Sequence, residues 1–123
     1  MALTPRKRRR SNFMEVQAIT KNVHMSAQKM REMVRQIQGL PVMQAQAVLA
    51  VVPRKSARVV AKTLKSAMAN AENNNGLKLE KLYVKSAVAG QATTQRRFTP
   101  KARGSAGPIL KRSCHVKIVV SDI

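Results

Sequence analysis

Acid is scarce in this sequence: 5 Asp and Glu stand against 24 Lys and Arg in 123 residues, a formal charge of +19. No acidic side chain occurs between Lys81 and Ser121. A compact fold so charged repels itself unless a polyanion neutralises it, which makes nucleic acid the expected partner. Tryptophan is absent, with only 2 Phe and 1 Tyr. That lack disfavours base stacking as the general mode of binding, and also the aromatic-anchored amphipathic helix of anionic-lipid binders. No apolar run approaches the roughly 18 residues of a membrane-spanning helix, and the basic "PRKRRR" is followed by no apolar leader core. A single cysteine, Cys114, cannot form an internal disulfide, so the fold needs no oxidising compartment. Cytosol or an organelle interior is expected.

Catalytic constellations are missing too. His24, Cys114 and His115 are the soft metal-ligand candidates. Two of them are adjacent in an expected strand and point to opposite faces, so neither a metal site nor a nucleophile and base pair is expected. Glu15, Glu32, Glu72, Glu80 and Asp122 are scattered and suggest no acid and base pair, and no phosphate-binding glycine loop of the Walker type occurs. No enzyme, cofactor or small-molecule substrate is expected.

What is present reads as one domain with appendages. Residues 1–13, "MALTPRKRRRSNF", hold five basic residues in a row, Arg6 to Arg10, and almost nothing to bury; they are expected to be a disordered arm until bound. Residues 14–123 form the domain. "MEVQAITKNVHM" alternates apolar and polar residues with one change of parity, which predicts a half-buried strand with an irregularity. Ser26 sits where an N-cap belongs, Met30, Met33, Val34 and Ile37 follow at helical spacing, and Gly39 stops the helix. Val42, Ala45, Leu49 and Val52 mark a shorter helix closed by Pro53. From Arg54 to Asn73 a third helix carries Ala57, Val60, Ala61, Leu64, Met68 and Ala71 on one stripe, and "ENNNG" ends it.

Two paired strands follow. Leu82, Val84, Ser86 and Val88 are expected on one face of the first, and Cys114, Val116, Ile118 and Val120 on one face of the second. Their connection, about Gly90 to Pro108, is too long for an ordinary hairpin loop and is either a disordered loop or an extended hairpin arm. Within it "QRRFTPKARGSAGPILKRS" carries six basic residues and too few large apolar ones for a core. Arms of about ten residues at about 3.3 Å each would put the tip on the order of 30 Å from the sheet. The expected fold is α+β: about three helices on a small antiparallel sheet, with a long basic β-hairpin over about 82–121 and its tip about 96–108.

The helices flanking Gly39 also imitate a helix-turn-helix, so a DNA-binding regulatory or architectural protein is a rival reading. Against it, the second helix offers only Gln44 and Gln46 as base-reading side chains.

Three stretches, "SAQKMREMVRQIQG" from Ser26, "SAMANAENN" from Ser66 and "RRFTPKARGSAGPILKRSCHVKIVVSD" from Arg96, resemble the L22 family of large-subunit ribosomal proteins. The resemblance implies a structural constituent of the large ribosomal subunit that binds rRNA, supports assembly beside neighbouring ribosomal proteins, and lines the nascent-peptide exit tunnel with its hairpin. It implies rRNA contacts by Arg96, Arg97, Lys101 and Arg103 on the inner part of the arm, with Lys111 and Arg112 along its returning strand. Lys29 and Arg31 on the first helix are further expected rRNA contacts, and so, by charge alone, are Arg6, Lys7, Arg8, Arg9 and Arg10, whose run extends beyond the family's usual start and inherits no role from it. Lys101, Ala102, Arg103, Gly104 and Ser105 would form the tip beside the passing polypeptide. Where the family commonly reads Pro-Arg-Ala, this chain has Pro100, Lys101 and Ala102, which keeps the charge without the guanidinium fork. Ser105 and Pro108 stand where charged or polar residues are frequent.

Overall fold

In the computed structural model, which describes residues 15–122, Ser26 caps the first helix. Its side chain accepts a hydrogen bond from the Lys29 amide at 3.4 Å, satisfying one of the donors a helix start leaves without a partner. Helix α1 (Ala27–Ile37) then buries Met30, Met33, Val34 and Ile37. Gly39, at φ 82°, takes the left-handed conformation that costs a residue without a Cβ little. Helix α2 (Val42–Val51) starts after Pro41. Helix α3 (Lys55–Asn75) ends at Gly76, which is left-handed at φ 64° and donates its amide to the Ala71 carbonyl. Ala57, Val60, Leu64, Ala67 and Ala71 of α3 are fully buried. Three of those five are alanines, which lets α3 lie close to its neighbours.

Strand β1 (Glu15–Val23) carries the expected irregularity: one extra residue lies between Thr20 and Val23 relative to its partner strand. Asn22 sits there at φ 57°, and its amide donates to His115 Nδ1 at 3.1 Å. The histidine therefore pins a bulge. Strands β2 (Tyr83–Gln91), β3 (Gln95–Pro100), β4 (Ala106–Lys111) and β5 (Cys114–Ser121) follow. They form a three-stranded sheet in the order β1-β5-β2 and a separate two-stranded ribbon of β3 and β4, every pairing antiparallel.

Helices α1 and α3 pack on one face of the sheet. Met30, Met33, Ile37, Leu64, Leu82 and Ile118 are the largest side chains of the single core between the layers. The layers are also stitched by a half-buried polar pair, the Thr20 and Thr63 hydroxyls 2.6 Å apart, with Thr63 donating to the Val59 carbonyl. The expectation for β5 holds, since Cys114, Val116, Ile118 and Val120 are all fully buried. The expectation for β2 is corrected in its second half. Val84 pairs Val120 but Ser86 pairs Val119, so Lys85 is an extra residue. That bulge flips the parity, burying Ala87 and Ala89 and leaving Val88 half exposed on the open face. Across that open face Lys85 reaches Glu15 of β1 in an ion pair.

The outer edge of β2 is sealed. Gly39 and Val42 donate to the carbonyls of Val84 and Leu82, and Val84 donates to Leu40. Further along, Nε2 of Gln38, the residue that caps the C-terminus of α1, and Nε of Arg31 in α1 donate to the carbonyls of Ala87 and Ala89. An edge so covered offers no template for pairing with another chain.

Candidate nucleic-acid interface

The long connection is a paired arm. Ala92 donates to the Ser113 carbonyl at 3.1 Å, carrying the ladder over the break between the sheet and the ribbon. Beyond it Gln95 pairs Lys111, Arg97 pairs Ile109 and Thr99 pairs Gly107, while Arg96 pairs Leu110, Phe98 pairs Pro108 and Pro100 pairs Ala106. Strands β3 and β4 make their substantial contacts with each other and not with the core. From Gln91 to Lys101 the arm spans roughly 30 Å at the usual strand rise.

A five-residue turn closes the arm. Lys101 donates its amide to the Ser105 carbonyl at 2.7 Å, and Ser105 returns its own amide to Ala102 and its hydroxyl to the same carbonyl. Arg103 at φ 60° and Gly104 at φ 71° are both left-handed, which for arginine is a strained choice. A Cβ on Gly107 would run into the Lys101 side chain, so the lysine stem folds back along the ribbon over Gly107 and would have to shift for a larger residue there.

Six of the residues expected to bind RNA, Arg96, Arg97, Lys101, Arg103, Lys111 and Arg112, thus lie along one exposed rod, together with Ala102, Gly104 and Ser105 at its tip. At the root, Arg112 and Arg31 of α1 both line a polar cleft of about 360 Å³ with Ser26, Gln28, Gln91 and Thr94. Lys29 is not brought to that cleft. It lines another with Glu32, Arg54 and Lys55, where Arg54 pairs Glu32 at 3.0 Å. Arg6, Lys7, Arg8, Arg9 and Arg10 lie outside the described residues. The sequence reading missed a second basic surface: Lys55, Arg58, Lys62 and Lys65 are exposed on α3. Their spacing of three and four puts them on one side of the helix, a signal that was legible beside the apolar stripe.

Among the described residues no group of three or more His, Cys, Asp or Glu is placed to hold a metal ion. Cys114 is fully buried, and burial raises its thiol pKa. Two results are expected. A water-soluble aromatic disulfide should modify Cys114 in the native protein at least an order of magnitude more slowly than in denaturant, because the thiolate is the reactive form. Stability should fall as pH rises past the ordinary thiol value, because the unfolded chain then loses its proton before the folded one does.

The model of the family described as ribosomal protein L22p/L17e matches residues 18–121. The chain is 48% identical over 109 residues to the large ribosomal subunit protein uL22 of Akkermansia muciniphila, covering 89% of this chain and 97% of that one. It is 50% identical over 109 residues to the uL22 of Opitutus terrae, covering 89% and 96%, and 47% identical to that of Clostridium novyi over the same length. The matched span takes in the three helices, the basic arm and all of the sheet but the start of β1, and the chain belongs to the L22p/L17e family of ribosomal proteins.

Proposed function

We propose that this protein binds large-subunit rRNA, supports assembly of the subunit, and lines the nascent-peptide exit tunnel with its arm. Family membership makes it a ribosomal protein of the large subunit, a structural component and not an enzyme, at work in the cytoplasm among rRNA and other ribosomal proteins. The finer reading rests on one observation: a paired ribbon projecting beyond the core with six exposed cations and no acidic residue between Lys81 and Ser121. A two-stranded hairpin is marginal alone in water, so such a rod gains from surroundings that neutralise and enclose it. Arg96, Arg97, Lys111 and Arg112 flank phosphates along its shaft. Lys101 to Ser105 form the tunnel-facing tip, in contact with the passing polypeptide. Arg31, Lys29 and the α3 stripe hold the domain to RNA at the arm's root and beyond, joined by Arg6 to Arg10 from the N-terminal run.

Cosedimentation tests this. The full chain should stay with large subunits through a high-salt wash that strips loosely held basic proteins, and a photo-crosslinker at position 103 should capture a stalled nascent chain. Recovery only in the free fraction defeats the assignment, and retention without crosslinking defeats the tunnel position. The regulator reading gains nothing from α2, which carries no charged residue and exposes Met43 and Val51.

A further inference from the structure

The register divides the ribbon into two chemically different sides. Residues directly opposite in an antiparallel pair share a side, and successive pairs alternate. One side carries Gln95 with Lys111, Arg97 with Ile109, and Thr99 with Gly107, the last covered by the Lys101 stem. The other carries Arg96 with Leu110, Phe98 with Pro108, and Pro100 with Ala106. Five of those six residues are apolar, and they are not buried: Phe98 is 81% exposed and Leu110 47%. An apolar strip on an otherwise charged rod marks a surface that something covers.

Charge and shape narrow the occupant. A stretch of 39 residues between Lys81 and Ser121 without an acid has no means of pairing with a basic partner, and the six exposed cations of the rod favour an anionic one. A strip two strands wide, with strands about 4.8 Å apart, suits a flat plate better than a helix. Unpaired nucleobases meet both conditions, being planar and apolar-faced on a backbone of phosphates. In continuous duplex the same bases are stacked on each other and have no face to offer.

We infer that the Phe98 and Pro108 side of the arm is a stacking surface for unpaired bases, while the Arg97 and Lys111 side grips phosphate, so the arm selects looped or bulged RNA over continuous duplex. Arg96 lies at the root end of the strip, where the flat face of its guanidinium stacks on a base while the N–H groups at its rim keep the phosphate contact given above. The low aromatic count still holds for the molecule as a whole. It is concentrated to effect at Phe98. This inference rests on the rRNA-binding reading above.

The chain has no Trp, so Phe98→Trp in the full-length protein is a sole reporter at the strip. Titrated with a large-subunit rRNA transcript, its emission should be quenched. A perfectly paired RNA duplex of matched phosphate content should leave it nearly unchanged. Phe98→Ala should weaken binding to the transcript by roughly five- to a hundred-fold and duplex binding by less than two-fold, with the salt slope unaltered because no phosphate contact is lost. Steep salt-dependent binding of the transcript without quenching overturns the stacking surface and leaves the rRNA reading intact. A blue shift without quenching, seen only on adding other large-subunit proteins, also overturns it in favour of protein packing. Failure to bind either RNA with a salt dependence overturns the rRNA reading itself.

Discussion

Replacing Arg96, Arg97, Lys101, Arg103, Lys111 and Arg112 together by Gln should nearly abolish the salt sensitivity that the arm confers on rRNA binding. A protein making six to ten phosphate contacts loses about 10³- to 10⁵-fold in affinity between 50 and 200 mM salt, because each contact releases condensed counterions. If all six side chains meet phosphate, the logarithmic slope should flatten by about four to five units. What persists reports on α1, the α3 stripe and the N-terminal run. The fold should be unaffected, since all six side chains are exposed and β3 and β4 contact mainly each other. Filter binding across a salt series, with thermal unfolding of the free protein as control, measures both. An unchanged slope would remove the arm from the interface.

Ile118→Ala should cost about 2–5 kcal/mol, the loss typical of a large aliphatic side chain deleted from a packed core. That is a large fraction of the about 5–15 kcal/mol that holds a domain folded, and it lowers the melting temperature on the order of 10–20 °C. Ile118 is fully buried in β5, the middle strand, paired on one side with Ala18 and on the other with Ala87. Small partners on both flanks leave little to collapse into the space. Ile19→Ala is the matched control, because Ile19 stands on the open face at 47% exposure. It should cost less than about 1 kcal/mol, in proportion to the area it hides from water. Denaturant midpoints at constant m-value decide the comparison, and equal costs would mean that the open face is packed as tightly as the core.

The elements with strong local signals were legible in advance. The Ser26 cap, the apolar stripe of α1, the Gly39 stop and the alternation of Cys114, Val116, Ile118 and Val120 each depend on residues within a turn or two of one another, so the sequence order alone carries them. Helix α3 was legible in its stripe but ran to Asn75 before its cap at Gly76, because asparagines tolerate the last helical turn as well as the turn that follows. The face taken by Val88 was misread for a different reason. Alternation assumes an unbroken ladder, and the extra residue at Lys85 is visible only once β2 is set against β5. For the candidate interface, the cations of the arm could be named from composition. The basic side of α3, Lys55, Arg58, Lys62 and Lys65, was overlooked although its spacing was on view.

Sequence by itself determined the charge, the three helices and a long basic connection too poor in apolar residues to join the core, since composition and short-range periodicity record these directly. Tertiary structure alone decided that β5 lies between β1 and β2, that Arg31 and Gln38 close the edge of β2, that Arg31 and Arg112 line one cleft at the root of the arm, and that Phe98 shares a side with Pro108 and Leu110. Each of these is a pairing between residues far apart in the chain. Which partners meet is set by register and bulges, and a shift of one residue turns every side chain of a strand to the other face.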